Sequence, residues 1–284
     1  MKYQIITDSC CDLTEQQYQE LGVKYAPLTI LYQGESHDNF NDPAELKAFY
    51  DGMRAGETAT TSAVNPEGWV NIMKPALEAG EDVLALCFSS GLSTTYQSAV
   101  IAAKELREVY PERTINVVDT LAAALGQGLL VILACRKRDE GMSLEDLTAW
   151  VEDNKLHLAH WITVDDLDHL KRGGRISATT AFFGGMLNIK PIIHVDDEGH
   201  LITMSKVRGR KTALEFLTKK FAEDCIDFDT VTIGHGDCPE DAAALEAMLK
   251  AAGAKNVITG YVGGVIGAHT GPGVLVVFFL GKHR

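Results

Sequence analysis

Residues 82–106 decide the fold class: Asp82-Val-Leu-Ala-Leu-Cys-Phe88, then Ser89-Ser-Gly-Leu-Ser93-Thr-Thr-Tyr96, then Ala99, Val100, Ala103 and Leu106. A β-type apolar run breaks into a hydroxyl-rich turn, and the turn opens a stretch whose apolar residues recur at helical spacing. Strand, turn and helix in that order form the repeating unit of a parallel sheet covered by helices. The alternation continues on both sides, with Tyr3–Thr7, Val23–Tyr32 and Thr114–Val118 also reading as strands. Helix starts lie between them. Thr14-x-x-Gln17 has capping-box form, and Asp42-Pro43 and Asn65-Pro66 each set a capping side chain ahead of a proline whose missing N–H costs nothing at the first helical position. Leu46, Phe49, Tyr50 and Met53, then Trp69, Ile72, Met73 and Leu77, are the stripes these helices bury.

A helix from Ser143, with Asp146 three residues later and Leu144, Leu147 and Val151 beneath, closes this half, and a boundary is expected near residue 155. The rest reads as strand His160–Val164, a helix toward Lys171, a Gly-Gly break and an apolar segment through Ile189. Ile192–Val195 and Leu201–Val207 flank the turn signal Asp196-Asp-Glu-Gly199 and suggest a hairpin. Helices 212–224 and 240–252, with strands near 230–234, 256–261 and 274–280, complete it. The expectation is an α/β protein of two domains: a parallel sheet flanked by helices in residues 1–155, and a mixed α/β domain in residues 156–284.

Composition narrows the partners. With 26 Lys+Arg against 39 Asp+Glu the formal charge is −13, so the global field repels nucleic acid and anionic membrane surfaces, and an anionic ligand has to be held by local donors. Six cysteines (10, 11, 87, 135, 225 and 238) contain no Cys-x-x-Cys pair, which argues against a zinc site or a disulfide framework and for a reduced cytoplasmic protein. The apolar stretch Ala122 to Cys135 falls short of the roughly 20 residues a membrane-spanning helix needs. No signal peptide, P-loop or G-x-G-x-x-G motif occurs, so a soluble protein that does not itself bind nucleotide is expected.

Three strands end in small hydroxyl- or carboxyl-bearing residues, Asp8-Ser9, Ser89-Ser90 and Asp119-Thr120, at the edge where open α/β sheets bind ligands. Ser93 is placed to cap the following helix, whose first-turn N–H groups would face an anion. Thr61-Ser62 precedes another helix start. Gly267-Ala-His-Thr-Gly-Pro-Gly273 describes a turn that brings backbone close to a neighbour and leaves His269 facing it. Arg172-Gly-Gly-Arg175 and Lys206-Val-Arg208-Gly-Arg210-Lys211 are the basic clusters of an acidic chain, and no histidine pair has metal-ligand spacing.

Asp8-Ser9, Thr61-Ser62, Ser89 to Ser93, Asp119-Thr120, Leu170 to Ser177 and Gly267 to Gly273, taken in order, resemble the DegV family of bacterial fatty-acid-binding proteins, which includes the lipid-carrying subunit of fatty acid kinase. The resemblance covers nearly the whole chain. It implies a two-domain fold with a long-chain fatty acid such as palmitate or oleate between the domains. The carboxylate would lie at Thr61, Ser62, Ser93, Thr94 and His269, the histidine donating a hydrogen bond or supplying charge near neutral pH. It also implies a carrier that is not itself an enzyme, presenting the acid to a kinase subunit for acyl phosphate formation, with Arg208 and Arg175 facing the partner or the phosphate. Phe182-Phe183-Gly-Gly-Met186-Leu187 and Ile189 belong to the core, and some of that core would line a lipid tunnel. The chain departs from the family pattern at Ala63-Val64-Asn65, where Gln-Pro-Ser is frequent, and at Thr94, where glycine is usual, so acyl-length preference does not follow from the resemblance.

The competing class is a serine hydrolase acting on an acyl ester, with Ser93 as nucleophile, His269 as base and Asp8 or Asp119 as orienter. Gly91-Leu-Ser93-Thr-Thr95 lacks the second glycine of a G-x-S-x-G elbow.

Overall fold

The computed structural model describes residues 2–40, 42–165, 167–177 and 188–284. In chain order the elements are β1 (Tyr3–Asp8), α1 (Glu15–Leu21), β2 (Lys24–Ala26), β3 (Thr29–Tyr32), β4 (Glu35–Asp38), α2 (Pro43–Arg54), β5 (Ala59–Ser62) and α3 (Pro66–Glu78). There follow β6 (Asp82–Cys87), α4 (Thr95–Val109), β7 (Ile115–Asp119), α5 (Ala124–Asp139) and α6 (Leu144–Asn154). The second half contains β8 (Leu158–Thr163), α7 (Asp168–Arg172), β9 (Ile189–Val195), β10 (Leu201–Arg208), α8 (Arg210–Asp224) and β11 (Thr230–His235). It ends with α9 (Pro239–Ala251), β12 (Asn256–Tyr261), α10 (Gly264–Thr270) and β13 (Leu275–Leu280).

β2-β1-β6-β7 form a parallel sheet, with Ile5 opposite Leu84 and Leu84 opposite Asn116. β10-β9-β8-β13-β11-β12 form a mixed sheet, antiparallel throughout except between β11 and β12. The expected caps form. Thr14 and Gln17 bond reciprocally, Asp42 accepts from Ala44 and Glu45 N–H, Asn65 from Gly68 N–H and Ser143 from Asp146 N–H.

Three expectations are corrected. Val23–Tyr32 is two strands in different sheets, because Pro27 has no N–H with which to continue the ladder. β3 leaves the parallel sheet and, with β4 and β5, builds a small antiparallel sheet that the polar runs Glu-Ser-His-Asp and Ala-Thr-Thr-Ser did not announce. His269 lies in the last turn of helix α10 rather than in a turn. The turn follows, with φ near 78° at Gly271 and 79° at Gly273. The segment Phe182 to Leu187 lies outside the described residues.

Residues 124–135, most of α5, are buried on every side of the helix. A helix apolar all round has to be covered all round, and here the two sheets cover it. Gln127 Nε2 donates to Thr7 Oγ1 (3.0 Å) and Asp8 Oδ2 (3.2 Å) in the parallel sheet, while Thr232 Oγ1 donates to the Leu125 carbonyl (2.9 Å) from the mixed sheet. Two glycines set the spacing. A Cβ at Gly126 would lie 2.6 Å from Phe278 Cδ1, and one at Gly128 would lie 2.5 Å from the Cys11 carbonyl oxygen.

Gly128→Ala tests this packing. Alanine adds about 1 kcal/mol of helix propensity, but overpacking against a backbone atom costs roughly 1–3 kcal/mol and a backbone carbonyl retreats less readily than a side chain. The expected result is a net loss of stability, seen as a lower urea midpoint at unchanged m-value. A midpoint equal to or above the parent's would show that α5 is not held this tightly.

Candidate functional site

α10 packs against α2, β3 and β5, which brings residues from the two ends of the chain together. Thr61, on β5 opposite Ile30, meets His269 there, with Thr61 Oγ1 2.7 Å from His269 Nε2. The other ring nitrogen, Nδ1, is buried against Gly173 and has no hydrogen-bond partner. Glycine is required at 173, since any Cβ would occupy the space of the imidazole. Burial, and secondarily the Arg175 charge, push the His269 pKa from 6.5 down to about 4. The ring of the ligand-free protein is therefore neutral near pH 7, which favours hydrogen bonding over charge among the two roles the resemblance implies.

Positive charge comes from Arg175 instead. Its Nε donates to the Leu92 carbonyl (3.2 Å) and its Nη1 to the Gly173 carbonyl (2.6 Å), so it spans from the α7 end to the loop after β6. That loop is built from its own hydroxyls. Ser89 Oγ donates to the Gly199 carbonyl (2.9 Å), the Ser90 N–H is held by Asp119 Oδ1 (3.2 Å), and Ser93 Oγ accepts from Thr95 N–H (3.2 Å) and lies 2.9 Å from Thr95 Oγ1. Thr94 occupies the cap position of α4 without a side-chain cap bond, so the Ser93 hydroxyl serves the helix start from one residue further back than expected.

Thr61, Ser62, Ser93, Thr94, Arg175 and His269 all line one cavity of about 430 Å³, a size typical of small-molecule sites. The remainder of its wall is largely apolar, with Leu28, Phe88 and Leu92 from the first half and Ile162, Ile193, Val195, Val274, Val276 and Phe278 from the second. Thr61, Arg175 and His269 also border a second recess of about 320 Å³, where Thr58, Thr60, His169 and Arg172 meet Met53, Ala59 and Ala268. The polar groups thus stand between a largely apolar chamber and a second recess of mixed character.

Some expected residues lie elsewhere. Arg208 is exposed at the end of the edge strand β10 and lines neither chamber. Its neighbour Arg210 is paired with Asp241 at 2.7 Å. A hydrolase triad is not assembled: the His269 ring bonds Thr61 rather than Ser93, and its Nδ1 has no carboxylate. Asp8 instead accepts from Cys10 and Phe88 N–H and from Gln127, and Asp119 accepts from Ser90 and Leu121 N–H. The sequence reading missed His160 as a lining residue. It is buried in the cavity wall, with Nδ1 2.9 Å from the Leu158 carbonyl, and burial holds its pKa well below the usual histidine value. The period-2 pattern of Val274, Val276 and Phe278 was masked because all six residues of β13 are buried on both faces. Among the described residues no group of three or more His, Cys, Asp or Glu is placed to hold a metal ion, and no helix is long and apolar enough to cross a membrane.

Residues 2–282 match the model of a protein family described as uncharacterised proteins of the DegV family. A DegV domain-containing protein of Clostridium perfringens is 43% identical over 287 residues, covering 100% of this chain and 99% of that one. Among solved structures, a DegV family protein from Thermus thermophilus described as fatty acid-binding is 33% identical with a TM-score of 0.88, over 98% of this chain and 99% of that one. A DegV lipid-binding protein from Thermotoga maritima is 29% identical with a TM-score of 0.87, over the full length of both chains. The two-domain α/β architecture is common to them.

The charge state of His269 is directly measurable. Its imidazole resonances are expected to titrate near pH 4, and Arg175→Gln should raise that value while leaving it below 6.5, because burial is the larger cause. Since the folded pKa lies below the unfolded one, the stability contributed by the neutral ring is complete above pH 6.5 and is lost as pH falls toward 4. A midpoint between 6 and 7 in the ligand-free protein would contradict the buried environment described.

Proposed function

Because the chain belongs to the DegV family, we propose that it is a non-catalytic carrier that holds one long-chain fatty acid of the palmitate or oleate class between domains 1–155 and 156–284. The carboxylate would lie at Thr61, Ser62, Ser93, Thr94 and His269, with Arg175 as counter-charge. The observation that carries this reading is a cavity whose wall is largely apolar apart from clustered hydroxyls, the imidazoles of His160 and His269 and the Arg175 guanidinium. Solved relatives described as fatty acid-binding or lipid-binding proteins support it.

The energetics are consistent with that ligand. Burying methylenes yields ~0.8 kcal/mol each, so 14 to 16 of them supply on the order of 10 kcal/mol. That gain is retained only if the carboxylate oxygens, once out of water, meet donors. Thr61, Ser93 and the Arg175 guanidinium are the donors available. The hydrogen bond between His269 Nε2 and Thr61 Oγ1 holds the threonine side chain in place.

The carrier is further proposed to present the carboxylate to a separate kinase subunit, which transfers the γ-phosphoryl group of ATP to it and leaves an acyl phosphate and ADP. The recess lined by Arg172, Arg175, Thr58 and Thr60 provides space and positive charge beyond the carboxylate. Arg208, exposed and outside both chambers, would face the partner.

Protein purified from bacterial cells should carry fatty acid, visible as extractable added mass in native mass spectrometry. Ser93→Ala and Thr61→Ala should each weaken binding by roughly 1–3 kcal/mol, the cost of leaving a buried acceptor without its donor. Parent-like affinity in both variants, measured by calorimetry, would move the carboxylate elsewhere.

Arg208→Ala separates carrying from presenting. Fatty acid binding should stay at the parent level while kinase-dependent acyl phosphate formation falls. Equal loss of both would assign Arg208 to the binding site, and loss of neither would leave it a solvated side chain.

A further inference from the structure

A second cleft, of about 450 Å³, opens between α1, the start of α2, the end of β11 and β12. It shares no lining residue with the lipid-type cavity. Two of the groups lining it are incompletely satisfied. Asp12 is 8% exposed, and its carboxyl oxygens have no partner beyond a weak contact with the Gly263 N–H. His235 is 6% exposed, its ring tilted against Tyr261 at 4.5 Å, and its Nδ1 is buried without a partner. Buried polar side chains almost always find partners, so a carboxyl and an imidazole lining one cleft without them point to a missing third group.

The rest of the lining defines that group. Glu20 and Gln16 stand exposed on the same face of α1 and Thr14, Gln17 and Thr259 add hydroxyl and amide groups, while among the described residues no lysine or arginine lines the cleft. Its acidic groups are therefore carboxyls, one toward solvent and one deep; burial pushes the deep one, Asp12, well above the usual carboxylate range, and an adjacent cation would favour its ionised form. Burial lowers the His235 pKa and keeps the ring neutral, with a lone pair to offer. Leu125, Ile258, Pro43 and Leu46 supply apolar surface beside these acceptors.

We propose that this cleft binds a small organic ammonium ion, whose charged N–H group donates to the Asp12 carboxylate and to the His235 ring while its alkyl portion lies on the apolar wall. Glu20 would hold the second charge of a diamine. An ammonium meets all three requirements at once, namely positive charge, several donors and an apolar body, whereas a bare metal ion would find two ligands from the protein and no use for the apolar wall.

The test uses the full chain with butylammonium chloride and 1,4-diaminobutane dihydrochloride as probes, and 1-butanol and sodium chloride at matched ionic strength as controls. Binding is followed by calorimetry and by the His235 imidazole resonances. Saturable binding of both amines is expected, with the diamine tighter and neither control effective. Asp12→Asn should weaken the amines at least about tenfold without changing bound fatty acid, and Glu20→Gln should remove the advantage of the diamine. If Asp12→Asn fails to fold, the contrast between butylammonium and 1-butanol on the unaltered protein decides. No saturable binding of either amine, equal binding of the alcohol, a sodium response equal to the ammonium response, or parent-like affinity in a folded Asp12→Asn protein would each overturn the proposal. None of these outcomes depends on whether the other cavity takes a fatty acid.

Discussion

Helix α5 has no solvent-facing side from residue 124 to 135, and that constraint organises the molecule. An isolated sheet could cover only one face, so burying the helix requires the parallel sheet and the mixed sheet to close on it together. Hydrophobic residues of β1, β6, α5, β8 and β13 accordingly join one cluster that spans both sheets, while two further clusters pack helices against the strands of each sheet separately. The cavity forms beside this contact. Ala123 and Ala124 from the start of α5, Phe88 from the end of β6, and Val276 and Phe278 from β13 all contribute to its wall.

The groups on and behind the polar wall of that cavity are fixed in place by hydrogen bonds. Asp8 is fully buried, and burial raises its pKa to about 6, yet its position is fixed by the Cys10 and Phe88 N–H groups and by Gln127. It thereby ties together the carboxyl ends of β1 and β6, which is an architectural task and leaves it unavailable to orient a catalytic histidine. His269 follows the same logic, being neutral, wedged against Gly173 and bonded to Thr61. In a chain of net charge −13, an electropositive site has to be made locally, and Arg175 makes it by being drawn inward through the Leu92 and Gly173 carbonyls.

The basic cluster around Arg208 shows how charge in sequence differs from charge in space. Arg210 is neutralised by Asp241, and Lys211 lies 4.0 Å from Glu215, so the run of four basic residues between 206 and 211 does not act as one patch. Arg175, in a cluster of similar appearance, lines both chambers. Sequence grouped these arginines together, and only their packing separates them.

Local signals in the sequence determined the α/β class, the strand-turn-helix order, the caps at Thr14, Asp42, Asn65 and Ser143, and the hairpin around Asp196 to Gly199, because each depends on residues within a few positions of one another. Motif order along the chain also brought Thr61, Ser93 and His269 forward as candidates. Tertiary structure decided what no local window contains: that Pro27 sends β3 into a separate sheet, that α5 is the shared centre of the core, and that Thr61 and His269 meet across 208 residues. It also decided that His269 is neutral and that Arg175 faces inward. The physical reason is the same in each case: desolvation, close packing and Coulomb interactions are set by distances between residues far apart in the chain, and those distances exist only once both sheets have closed on α5.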